Sequence, residues 1–124
     1  MSRAKGNAAA GWIAAYLRNW WPDAEKTPNG RPGADIENTP GVAWEIKTGT
    51  TWRSEWIAQA SRNSAGQLAP VIYLPPGLGE RSVAQAHAVV PLQVFMQLLI
   101  QAGWAPMPAD PAKVDMSLFQ EMQG

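Results

Sequence analysis

The run Val42-Ala43-Trp44-Glu45-Ile46-Lys47-Thr48 alternates between two kinds of side chain and is bounded by glycine on both sides. Residues two apart share one face of a β-strand. Val42, Trp44 and Ile46 are therefore expected to point into a core, while Ala43, Glu45 and Lys47 point the other way. A chain holding such a strand must supply a second layer to cover the apolar face. The charged face raises a chemical question, because Glu45 and Lys47 stand about 7 Å apart on it by strand rise.

The surrounding elements follow from periodicity and from the residues that break it. From Asn7 to Trp20, Ala8, Trp12, Ala15, Tyr16 and Asn19/Trp20 recur at three-to-four spacing, which predicts an amphipathic helix with Asn7 as N-cap and Pro22 as its stop. "TPNGRPG" (27–33) is turn chemistry throughout, and a short strand is expected over Gly33–Glu37. Thr51–Ala65 reads as a helix with Trp52, Trp56, Gln59/Ala60 and Asn63 along one side. "APVIYLP" (69–75) reads as a well-covered strand. After the loop "PPGLGERS", Val83–Val90 is expected as a partner strand, and Pro91 opens a final helix that runs through Ala102. The order helix, strand, strand, helix, strand, strand, helix places the chain in the α/β class, with a mixed sheet flanked by helices. Residues 1–104 form one domain in this reading. Residues 105–124 form a tail with three prolines and a weakly amphipathic piece near Lys113–Met122.

Composition narrows the function classes. Ten basic and ten acidic residues cancel over 124 positions, so net charge carries no case for nucleic acid. Their distribution is uneven: residues 1–62 hold eight Lys/Arg against six Asp/Glu, and residues 63–124 hold two against four. A nucleic-acid surface would belong to the first half. The absence of cysteine excludes a disulfide scaffold and a thiolate zinc site, and fits a reducing cytoplasm. "VPLQVFMQLLI" is too short and too interrupted by glutamine to span a membrane, and the N-terminal "MSRAKGNAAAGW" does not read as a signal peptide. Seven tryptophans exceed the needs of one small core, which suggests a groove or a subunit contact.

Whether Asp35 joins Glu45 depends on register. A two-residue Pro40-Gly41 turn would set Asp35 opposite Ile46, on the core face. A three-residue loop Thr39-Pro40-Gly41 would set it opposite Glu45, with Gly41 taking the left-handed conformation. Two carboxylates facing one another call for a cation, and hard oxygen donors suit Mg²⁺ or Mn²⁺. A lysine two residues on can stabilise charge on a phosphate or orient a water. Together these groups suit metal-assisted hydrolysis of a phosphodiester. Glu-x-Lys on a wet strand face is common and by itself signals only solvation. The Asp35 partner, the glycine-rich approach and the apolar opposite face reverse that preference.

Gly33-Ala34-Asp35-Ile36, the Pro40-Gly41 turn, Trp44-Glu45-Ile46-Lys47 and Gln59-Ala60 resemble the PD-(D/E)xK nuclease superfamily, in particular small Holliday junction resolvase-like proteins of phages and archaea. The likeness covers most of residues 2–100. It implies a restriction-endonuclease-like fold, with Asp35 and Glu45 as Mg²⁺ ligands, the Ile46 carbonyl as a further ligand and Lys47 as the catalytic lysine. Gln59 would reach toward the site from the following helix. Relatives often carry a glutamate on the first helix, where this chain has Ala10, and Pro22-Asp23 offers a competing acid. Asp35 is favoured, because an acid just past a helix end needs no special explanation. Among basic residues, Arg3, Lys5, Arg31 and Arg53 are the candidate DNA contacts, with Arg62 behind them. Trp52 and Trp56 read as core rather than as base-stacking platforms, His87 as a strand residue rather than a ligand, and Gly77-Leu78-Gly79 as a loop.

The expected function is that of a Mg²⁺-dependent endonuclease acting on branched DNA in a bacterial cell or a phage-infected host. A homodimer is expected, since a symmetric double cut needs two sites. The alternatives are a catalytically weak or inactive DNA-binding module on the same fold, and a restriction or repair nuclease for other DNA.

Overall fold

The computed structural model describes residues 3–114, with side chains from Gly6 onward. The chain divides into two compact units, Met1–Val89 and Val90–Gly124. The first is mixed α/β. Its elements are α1 (Arg3–Leu17), β1 (Glu25–Lys26), β2 (Ile36–Glu37), β3 (Glu45–Thr48), α2 (Glu55–Arg62), β4 (Val71–Leu74), a 3₁₀ helix (Glu80–Gln85) and β5 (His87–Val89). The second unit holds α3 (Leu92–Gln101) and a short 3₁₀ turn (Pro111–Lys113). No helix among the described residues is long and apolar enough to cross a membrane.

Three strands form the main sheet in the order β3-β4-β5. β3 and β4 run parallel, with Glu45 opposite Val71 and Lys47 opposite Tyr73, while β5 lies antiparallel to β4. Adjacent parallel strands require a crossover, and α2 provides it. This sheet is covered on both faces. Ile46, Ile72 and Leu74 pack with Ala9, Ala10, Ile13, Ala14 and Leu17 of α1. Val71 and Tyr73 pack with Trp56 and Ala60 of α2 on the other side. Such two-sided cover explains why all four residues of β4 are buried.

The strand pairing differs from the expected one. The hairpin joining 33–37 to 42–48 does not form: β2 pairs with β1, an antiparallel ribbon in which Lys26 faces Ile36, and β3 pairs with β4. Pro40-Gly41 still turns the chain. Val42 N–H donates to the Thr39 carbonyl, and Gly41 takes φ of 95° at the third position of that turn. The strand expected over Val83–Val90 begins as the 3₁₀ helix and becomes extended only at His87. Asn7 lies inside α1 rather than capping it.

The buried face of α1 also differs from the expected stripe. Ala8, Ala15 and Tyr16 are exposed and Trp20 is 61% exposed, while Ala9, Ala10, Ile13, Ala14 and Leu17 face the sheet. A helix lying close on a sheet needs small side chains at the contact, so alanines win over the larger aromatics. Tyr16 and Trp20 instead meet edge-to-face outside, with ring centroids 5.2 Å apart.

Candidate active site

Asp35 is held at the junction of the two sheets by its own backbone. Its N–H donates to the Trp44 carbonyl (2.8 Å), and its carbonyl accepts from Thr27 N–H (2.8 Å). Its carboxylate closes the junction, with Oδ2 accepting from Ile46 N–H at 2.7 Å. The β1–β2 ribbon is thereby fastened to the open edge of β3. The contact with Glu45 arises from this junction rather than from a paired antiparallel ladder.

Glu45 is only 3% exposed, so the strand face that carries it is not the wet face of a solvated Glu-x-Lys pair. α2 covers that face and supplies the donors a buried carboxylate needs. Gln59 Nε2 donates to Oε2 (3.2 Å), and Asn63 Nδ2 donates to Oε1 (3.3 Å). Lys47 Nζ stands 3.5 Å from Oε2 and 5.8 Å from the centroid of the Trp56 ring. Trp56 thus packs in the core and also bears on the position of the lysine.

Both carboxyls are held above their ordinary range. For Asp35 the main cause is burial, opposed by the Ile46 hydrogen bond and the Lys47 charge. For Glu45 burial again comes first and the neighbouring Asp35 charge adds to it, against Asn63 and Lys47. Two buried acids in contact, with the Asp35 charge adding to the cost of ionising Glu45, invite either a shared proton or a bound cation.

These groups open onto one cleft of about 510 Å³. Asp35, Glu45, Ile46, Lys47 and Gln59 all contribute to its lining, and α1 contributes Asn7 and Ala10. The loop from Lys26 to Arg31 forms another part of the wall. Asp23 is exposed elsewhere, and its backbone carbonyl accepts from Asn38. Among the described residues, no group of three or more His, Cys, Asp or Glu side chains is placed to hold a metal ion.

The basic candidates separate. Arg31 lines the cleft while pairing with Glu37 at 2.7 Å. Arg53 does not line it, and pairs with Glu55 at 3.6 Å on the surface. Arg3 and Lys5 fall in the first turns of α1, and their side chains lie outside the described residues. Trp52 and Trp56 form an aromatic cluster with Tyr73, their own centroids being 5.1 Å apart. His87 is exposed on β5.

Sequence reading missed Asn7, Lys26 and Asn63. Asn63 carried a signal, since it stands four residues after Gln59 and so shares its helix face. Lys26 carried none, because its place depends on a two-residue ribbon. No protein-family model, curated protein or solved structure matches the chain.

Proposed function

We propose that the cleft hydrolyses phosphodiesters in DNA with the help of a divalent cation, with branched DNA such as a four-way junction as the substrate class. The observation that carries this reading is the convergence of Asp35, Glu45 and Lys47 on one cleft, with both carboxyls pushed toward protonation. The donor set suits Mg²⁺ or Mn²⁺, since it is made of oxygens and the paired acids gain most from a cation between them. Asp35 and Glu45 would hold the ion, with the Ile46 carbonyl as a further ligand. When bound, it would polarise a phosphate oxygen and acidify a water.

The remaining work falls to the chain itself. Ile46 N–H fixes the Asp35 carboxylate, and Gln59 with Asn63 fixes Glu45, so neither acid has to reorganise when charge develops. Lys47, steered by Glu45 and Trp56, presents a cation to the phosphate. Ala10 leaves space in the cleft for water or for a substrate oxygen.

One observation favours the second reading, a DNA-binding module with weak or no catalysis. Both oxygens of Glu45 already accept hydrogen bonds, from Gln59 of α2 and from Asn63 at its C-cap, so a cation would compete with them. Incubating the protein with four-way, forked and linear DNA in Mg²⁺ or Mn²⁺ separates the two. Metal-dependent cleavage that vanishes with EDTA supports the nuclease, whereas binding to the junction without cleavage at any metal concentration supports the module.

A further inference from the structure

We infer that Lys26 is a phosphate-binding residue of the cleft, gripping the backbone of a nucleic-acid strand beside the reacting phosphodiester; this deepens the nuclease reading and rests on it for the identity of the ligand. Three cations line the cleft, and two are engaged. Lys47 is 3.5 Å from Glu45 Oε2, and Arg31 is 2.7 Å from Glu37 Oε2. Lys26 is half-buried and has no ion-pair partner among the described residues.

Its unpaired state is informative because acids are near in the fold. The next residue, Thr27, is bonded through its N–H to the Asp35 carbonyl, yet no ion pair joins Lys26 to either acid of the cleft. No acid among the described residues neutralises Lys26, so an anion entering the cleft meets an uncompensated positive charge in its wall. The ribbon restricts where it can go, since Lys26 is paired with Ile36, which is buried in the core. The turn at Pro28–Arg31 then sets Arg31 in the same wall. An anion reaching the acid pair would therefore carry its neighbouring phosphate past Lys26. A polymer strand offers such a neighbour and an isolated phosphate does not.

The test is the salt dependence of DNA binding, measured in EDTA so that no cleavage occurs, with wild type, Lys26→Gln, Lys26→Arg and Arg81→Gln. Cleavage by the wild type in Mg²⁺ is scored in parallel. Each phosphate neutralised contributes to the slope of log K against log salt, so Lys26→Gln is expected to reduce that slope by about 1 while Lys26→Arg restores it. Arg81 is exposed and does not line the cleft, and its substitution should leave the slope unchanged. Rescue by Lys26→Arg guards against a merely structural effect, and Glu37→Gln, which releases Arg31 in the same wall, should tighten binding. An unchanged slope in Lys26→Gln, with cleavage intact in the wild type, overturns the inference and spares the nuclease. A reduced slope in Lys26→Gln, with a wild type that binds but does not cut, overturns the nuclease and keeps the phosphate site. Neither binding nor cleavage in the wild type overturns both.

Discussion

Glu45 shows what one buried carboxylate costs and what it gains. With the folded chain holding protons on Asp35 and Glu45 more tightly than the unfolded chain does, the pair favours folding most at acid pH. That contribution is fully present below the ordinary carboxylate range near pH ~4 and is lost as pH rises through the raised values. Metal-free protein should therefore lose melting temperature toward neutral pH by more than its Glu45→Gln variant does. Without metal, Glu45→Gln should therefore gain on the wild type between acid and neutral pH, even though its amide NH₂ must face one of the donors Gln59, Asn63 or Lys47. Saturating Mg²⁺ should reverse that gain, because only the wild type binds it well. Differential scanning fluorimetry across pH, with and without Mg²⁺, checks both signs. Lys47→Ala belongs to the same scale: cleavage should fall about 10²- to 10⁴-fold, and the metal-free melting temperature at neutral pH should fall too, since buried Glu45 loses its cation.

Helix α1 carries two duties on neighbouring residues. Ala9 is fully buried against the sheet, and Ala10, next to it, lines the cleft. Ala9→Leu should cost about 1–3 kcal/mol in urea denaturation, because the helix cannot stay as close to the sheet. Ala10→Glu should lower the Mg²⁺ concentration needed for cleavage by adding a carboxylate to the cleft; an unchanged metal titration would mean that the side chain does not reach the acids. β3, α2 and β4 were legible in place, β3 from its alternation, α2 from its three-to-four spacing and β4 as a continuous apolar run, though β3 and α2 are shorter than the expected Val42–Thr48 and Thr51–Ala65. The α1 face was not, since aromatic residues outweigh alanines in a hydrophobic count although alanines make the close contact. Asp35 and Glu45 could be named from their residue types. Their manner of meeting could not, because it depends on Ile46 N–H reaching a side chain across eleven residues instead of a strand ladder. Lys26 and Asn7 gain their place only from how the ribbon and α1 stand around the cleft.

At the scale of the molecule, two exposed features bear on assembly. β5 is a short edge strand with His87 and Ala88 exposed, and α3 leaves Leu92, Phe95 and Met96 open to solvent. A homodimer is the proposed state, so light scattering should give about twice 13.4 kDa, and Phe95→Glu should return it to the monomer value. A wild-type mass of 13.4 kDa at micromolar concentration, with and without DNA, would remove the dimer and leave the cleft as it is. The central claim is the chemistry of that cleft. It is tested most directly by cleavage of a four-way junction in a Mg²⁺ and Mn²⁺ titration, with wild type, Glu45→Gln and Lys47→Ala side by side. The wild type should cut only with metal, and either variant should cut at least about 10²-fold more slowly while still binding the junction. Binding by all three with no cut at any metal concentration, or equal cutting by all three, would contradict that claim.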